Sequence, residues 1–270
     1  MSDVAIVGGG FLGGAVAAAL PPPVLVVTRS GRLRSGAAPP GVNIVALDVL
    51  RSPPETIAAA LAPARALVIS LAPGHDQDRR ELYVEGTRRV LQATRTIAWR
   101  RIVHVSSTSA IADRDGWVDE TCDAPPSSER GLVQRDAEAV VREHAEARAI
   151  AWLVLRLGGL YGPARPIGRF HHRRGNAPLP GDGNVATNLV HVDDAVRAVV
   201  AALAAAPDVR GIVHVCADDH TCSRTLYARF GADVRWTEPP TPGAPARGKR
   251  VSNLRLKTLL GVRLLHPTAR

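Results

Sequence analysis

Residues 4–13 read Val4-Ala5-Ile6-Val7-Gly8-Gly9-Gly10-Phe11-Leu12-Gly13, and an Ala-rich segment follows. The four apolar residues make a short buried strand, and the glycines that follow are spaced G-x-G-x-x-G. In this strand–turn–helix setting each glycine has a physical task. Gly8 permits the tight turn, Gly10 lets backbone approach a pyrophosphate, and Gly13 lets the helix pack closely. Phe11 and Leu12 open the helix, whose amino end faces the phosphates. A purely structural glycine turn is the bland alternative. The reading is an α/β chain that binds a dinucleotide where its first strand ends.

The same alternation continues outward. Apolar strands are expected at Val24 to Val27, Asn43 to Leu47, Ala66 to Leu71, Arg101 to Val105, Trp152 to Leu157 and Gly211 to Val215. Helix-forming segments lie between them, at Gly13 to Leu20, Pro54 to Leu61, Asp78 to Ala98, Leu132 to Arg148 and Asp193 to Ala205. Strands alternating with helices imply a parallel, doubly wound sheet covered on both faces. Two stretches break the rhythm: Gly162 to Asn188, rich in Pro and Gly, and the segment from Ala217 onward. The expected organisation is therefore a dinucleotide-binding domain over 1–162, completed by 189–216. Residues 163–188 and 217–270 form a small substrate lobe above the carboxyl edge of the sheet, where doubly wound folds bind ligands.

The end of the second strand speaks to the type of cofactor. An NAD site places Asp or Glu there to hold the ribose diol. Here Val27 is followed by Thr28-Arg29-Ser30, and no acidic residue occurs from Val4 to Leu47, where the overall acidic fraction would supply about four. Arg29 can pair with a 2′-phosphate and stack on adenine, while Thr28 and Ser30 add hydroxyls. NADP(H) is therefore favoured over NAD(H), against the alternative of a chance arginine in an Arg-rich chain. Asp48 is placed to accept a hydrogen bond from the adenine amino group, or simply to close a turn at a strand end.

Composition narrows the remaining classes. The 270 residues are 46% apolar with a net charge of +9. Of 34 basic residues only Lys249 and Lys257 are lysine, and the arginines come in scattered pairs. That pattern reads as solvated surface and not as a nucleic-acid face. No apolar run approaches the ~20 residues of a membrane span. The early apolar stretch has no basic region before it, so it reads as a strand and not a signal peptide, and a cytoplasmic protein is expected. Cys122, Cys216 and Cys222 form no CxxC pair, so no metal site is expected; Cys216 reads as core.

Beyond these features the sequence resembles the extended short-chain dehydrogenase/reductase superfamily, in particular its atypical NAD(P)-dependent epimerase/dehydratase-like members. The residues that carry the resemblance are Ser70-Leu71-Ala72, Val84-Glu85-Gly86-Thr87, Val105-Ser106-Ser107-Thr108-Ser109, Arg156 to Pro163, His191-Val192-Asp193-Asp194 and Gly248 to Asn253. The resemblance implies further cofactor contacts at Val49, Ser70, Leu71, Ala72, Ser106 and Gly159. It also implies hydride transfer beside a Tyr-x-x-x-Lys pair, in which lysine lowers the phenol pKa. That pair is missing: Arg130 and Gln134 stand at its two positions, and no tyrosine has a lysine four residues on.

Three side chains are candidates for the chemistry. Thr108 stands at the family's Ser/Thr position and either bonds a substrate oxygen or satisfies strand-end backbone. Tyr161 either supplies a phenol at the crevice mouth or packs. Arg130 can bind an anionic substrate or polarise a carbonyl, but makes a poor proton donor. Asp193 is expected to cap the helix that follows it. His171-His172-Arg173-Arg174 reads as solvated surface, with anion binding as the alternative. Two functions follow. One is an NADP(H)-dependent oxidoreductase, epimerase or dehydratase-like enzyme acting on a small polar metabolite. The other is a non-catalytic NADP(H)-binding sensor or regulator. A homodimer is left open.

Overall fold

The computed structural model describes residues 3–34, 36–74, 77–167, 177–230, 234–241 and 243–269. Val4–Val7 forms β1 and Phe11–Ala19 forms α1, followed by β2 (Val24–Thr28), β3 (Val42–Ala46), α2 (Pro54–Leu61) and β4 (Ala66–Ile69). A π-helical turn, Glu81–Gly86, leads into α3 (Thr87–Ala93). Then come β5 (Arg101–Ser107), β6 (Gly116–Val118), α4 (Glu129–Glu146), β7 (Ala151–Leu157), β8 (Gly159–Tyr161) and β9 (Leu189–His191). The chain continues with α5 (Val192–Ala204), β10 (Gly211–Val215), α6 (Ser223–Arg229), β11 (Lys249–Val251) and α7 (Leu254–Leu259).

Seven strands pair in parallel in the order β10-β7-β5-β4-β1-β2-β3. Because side chains alternate across a strand, each strand feeds two cores. Val4 and Ile6 join the layer under α1 and α5, while Ala5 and Val7 join the layer under α2, α3 and α4. The strand order reverses direction between β1 and β4. At such a switch point the connecting turns diverge and leave a crevice at the carboxyl edge.

The doubly wound sheet matches the expectation from sequence, with strand ends displaced by a residue or two. The helix expected from Asp78 to Ala98 is shorter, because a wide turn precedes it and Thr94 ends it. There Thr94 Oγ1 donates to the Val90 carbonyl at 2.8 Å and accepts from Trp99 Nε1 at 3.2 Å. The sequence did not reveal the two small parallel pairs, β6 with β11 and β8 with β9. The cap of α5 falls on His191 and not on Asp193: His191 Nδ1 accepts from the Asp193 N–H at 3.3 Å. Cys216 is fully buried, as expected of a core residue. His171-His172-Arg173-Arg174 lies outside the described residues.

Candidate functional site

A cleft of about 330 Å³ opens at the switch point. Gly8 and Gly10 of the first turn line it, together with Thr28, Arg29 and Ser30 after β2, Asp48 and Val49 after β3, and Ser70, Leu71 and Ala72 after β4. The glycine requirement is geometric at two positions. Gly8 sits at φ +108°, and a Cβ there would lie 2.3 Å from the Ser70 carbonyl oxygen. A Cβ on Gly13 would lie 1.9 Å from the Gly8 carbonyl oxygen, so the helix can approach the turn only without a side chain. Gly10 differs, because a Cβ there would meet no atom within 4 Å.

That open space lies over the amino end of α1. The helix begins at Gly10 with no side-chain cap and no acidic residue in its first turn. Its first N–H groups lack intrahelical partners and carry the positive end of the helix dipole. An uncapped helix start beside empty space is chemically suited to a phosphate. Leu12 is turned into the core at 5% exposure, and Phe11 lies beside Gly162, where a Cβ would be 3.5 Å from Phe11 Cζ. Phe11, Leu12 and Gly13 therefore shape the turn from behind.

The rim is cationic. Arg29 is exposed on the cleft, and Arg32 and Arg34, which the sequence reading passed over, line it as well. Thr28 Oγ1 accepts from the Arg32 N–H at 3.1 Å, and the Arg34 N–H bonds the Gly9 carbonyl at 3.2 Å. These bonds fold the arginine-bearing loop back over the glycine turn. Asp48 Oδ1 accepts from the Leu50 N–H at 2.9 Å, which is the turn-closing geometry, while the residue still faces the cleft.

Besides Phe11, Leu12 and Gly13, two more of the expected cofactor residues, Gly159 and Ser106, do not line this cleft. Gly159 is exposed on β8, where a Cβ would meet Leu189 Cδ2 at 2.7 Å. Ser106 is buried, and its Oγ donates to Glu138 at 2.6 Å, with Gln134 Oε1 at 3.3 Å. Glu138 also binds Arg156 twice, at 2.9 and 2.7 Å. The carboxyl end of β5 is thereby tied to α4 and β7 by one buried polar chain.

The turn that carries Thr108 and the helix that carries Arg130 pack on each other. Thr108 opens the 3-10 turn Thr108–Ala110, and the first turn of α4 packs on it, where a Gly131 Cβ would lie 2.4 Å from the Ser109 carbonyl. Ser128 caps α4 by accepting from the Gly131 N–H at 3.2 Å, which leaves Arg130 exposed beside the turn. Tyr161 is 5% exposed, packed with Leu226 and Ala269, its ring edge-on to His191 at 5.1 Å. That burial favours the packing alternative for Tyr161.

A further cluster was not legible in sequence. His191, Asp193 and His266 bring possible metal-ligating atoms within 4.8 Å of one another. It sits at the amino end of α5, where the dipole opposes a cation, and His191 Nδ1 is already engaged as the cap.

Comparisons with known proteins fit this geometry. The family model described as "NAD dependent epimerase/dehydratase family" matches residues 4–216. Protein YeeZ of Escherichia coli K12 is 30% identical, over 99% of this chain and 97% of its own. A 3-diazoavenalumate denitrifying reductase from a Streptomyces species is 30% identical, over 70% of this chain and 69% of its own. Among solved structures, a UDP-glucuronic acid 4-epimerase from Bacillus cereus, in complex with UDP-glucuronic acid and NAD, superposes with a TM-score of 0.79. It covers 99% of this chain and 95% of its own at 20% identity, a likeness of fold.

Proposed function

Because the chain belongs to the NAD dependent epimerase/dehydratase family, a family of enzymes, we propose that it is an NADP(H)-dependent oxidoreductase or epimerase/dehydratase-like enzyme acting on a small polar metabolite. One observation carries the reading: the uncapped start of α1 opens into space bounded by Gly8, Gly10 and Ser70, under an arginine rim. The turn at Gly10 would hold the pyrophosphate, and Asp48 and Arg29 would take the adenosine end. The solved neighbour named above carries NAD; it is the rim of Arg29, Arg32 and Arg34, with no acidic residue at the end of β2, that supports the phosphorylated cofactor.

The nicotinamide, when bound, supplies or takes hydride. The chain's own residues hold and orient the substrate. Thr108 bonds the reacting oxygen, and Arg130 binds an anionic group. Substrate recognition is assigned to the described part of the smaller lobe, supported by a second cleft of about 260 Å³ between Asp182, Tyr227, Trp236 and Arg247.

A single substitution tests the reading. Gly10→Val puts a side chain where the pyrophosphate lies, without a clash in the unliganded chain. The variant should fold by circular dichroism and lose NADPH binding in a fluorescence titration; unaltered binding would place the nucleotide elsewhere. A second reading, a non-catalytic NADP(H) sensor, is favoured by Arg130 and Gln134 standing where the Tyr-x-x-x-Lys pair would be. It predicts tight cofactor binding with no turnover across a broad carbonyl and nucleotide-sugar panel.

A further inference from the structure

Residues 262–269 cross the amino end of α5. Asp194, almost fully buried, accepts from the Leu265 and His266 N–H groups at 2.6 and 2.9 Å. The Pro267 carbonyl accepts from the Asp218 and Asp219 N–H groups, and the Ala269 carbonyl from Arg229. The backbone of His266 is thereby fixed where its side chain meets two residues from elsewhere in the chain. His191 ends β9 in register with Tyr161, and Asp193 stands in the first turn of α5. Asp193 Oδ2 lies 3.3 Å from His191 Nδ1 and 3.3 Å from His266 Nε2. Two ligands of a tetrahedral zinc ion, each about 2.0–2.1 Å from the metal, stand roughly 3.4 Å apart. Both observed separations match that edge. Two nitrogens aimed at one carboxylate oxygen place three donors around a common point, and two imidazoles with a carboxylate suit a divalent transition ion.

We propose that His191, Asp193 and His266 bind a divalent transition-metal ion of the zinc kind, which fastens residues 262–269 to β9 and the start of α5. The site uses none of the residues that line the switch-point cleft. Two features oppose a cation here, and both are small. The positive end of the α5 dipole costs about fivefold in affinity at most, and the carboxylates of Asp193 and Asp194 in the first turn work against it. The Asp193 N–H gives up His191 Nδ1, a contact that at 3.3 Å is longer than most hydrogen bonds. It turns to water instead, at a residue whose side chain is more than half exposed. The two imidazole rings stand 3.8 Å apart, tilted by 36°, and the partly exposed His266 swings outward to open the ligand angle. A water completes the tetrahedron on the exposed side of Asp193. The ion then braces Tyr161 from behind, since Ala269 of the fastened segment packs on it.

The test titrates zinc chloride calorimetrically into chelator-stripped protein near neutral pH. One equivalent should bind with a dissociation constant in or below the micromolar range. Magnesium chloride should give no binding heat, because that hard cation takes oxygen ligands. Asp193→Asn and His266→Gln, both at exposed side chains, should keep the circular dichroism of the wild type and weaken zinc binding by about a hundredfold or more. The double replacement His171→Gln with His172→Gln removes two other histidines and should leave the affinity unchanged. Saturating zinc should also raise the melting temperature of the wild type by several degrees and that of His266→Gln by less than about one degree. A wild-type protein that binds no zinc, or an affinity that both Asp193→Asn and His266→Gln preserve, would overturn the proposal. Loss of the affinity in the His171→Gln, His172→Gln protein would overturn it as well, by moving the ion to another part of the chain.

Discussion

Arg156 of β7 and Glu138 of α4 form a two-point ion pair in the interior, Nε to Oε1 at 2.9 Å and Nη2 to Oε2 at 2.7 Å, and the guanidinium is only 1% exposed. Ser106 adds a third bond to the same carboxylate at 2.6 Å. The pair holds the carboxyl ends of β5 and β7 against the helix that carries Arg130 and Gln134, so stability and site geometry meet here. Removing one partner strands a buried charge, which costs roughly 3–5 kcal/mol. Glu138→Gln and Arg156→Met should each lose that much in urea unfolding. A loss under about 1 kcal/mol in both would show that the pair is not a structural tie.

Acid should weaken the fold through two buried histidines. Burial lowers His104 to about 4 and His214 to about 3, from an ordinary 6.5. Coulombic help from Glu138 for His104 is too weak to offset this, and Arg156 pushes His214 further down. With folded values below unfolded ones, the unfolded chain takes up protons first as pH falls. Stability is therefore full above 6.5 and declines on the way down to about 4 and about 3. From pH 7 to pH 5 the loss should be on the order of 2 kcal/mol per histidine. Urea midpoints that stay level across this range would contradict the assignment.

Much of this fold was legible because its signals are local. The run from Val4 to Gly13 contains its own strand, turn and helix start, and the alternation of apolar strands with Ala-rich helices needs no long-range knowledge. The cleft at the switch point follows from the same elements, since Gly8, Thr28, Asp48 and Ser70 all stand at strand ends. What escaped depends on pairing across the chain. Gly116–Val118 meets Lys249–Val251 through register alone. Arg32 and Arg34 reach the rim because Thr28 and Gly9 fold their loop back, and Ser106 turns inward because Glu138 and Gln134 await it.

Thr108 should matter for turnover and not for cofactor affinity. Thr108→Val keeps the shape of the turn but removes the hydroxyl that we propose bonds a substrate oxygen. Loss of one such donor commonly costs about 10²-fold in rate, roughly 2.7 kcal/mol. On a substrate found by screening NADPH oxidation, kcat should fall by that factor while NADPH affinity holds. Tyr161→Phe, in its buried cluster, should keep kcat within about twofold. The reverse order of effects would exchange their roles.

The central claim, that this cleft holds a dinucleotide and that its arginine rim selects the 2′-phosphate, is tested most directly by calorimetric titration with NADPH and NADH side by side. If Arg29 pairs with the phosphate, NADPH should bind at least tenfold more tightly, about 1.4 kcal/mol, and Arg29→Ala should remove most of that difference. Equal affinities in the wild-type protein, or an NADPH preference untouched by Arg29→Ala, would contradict it.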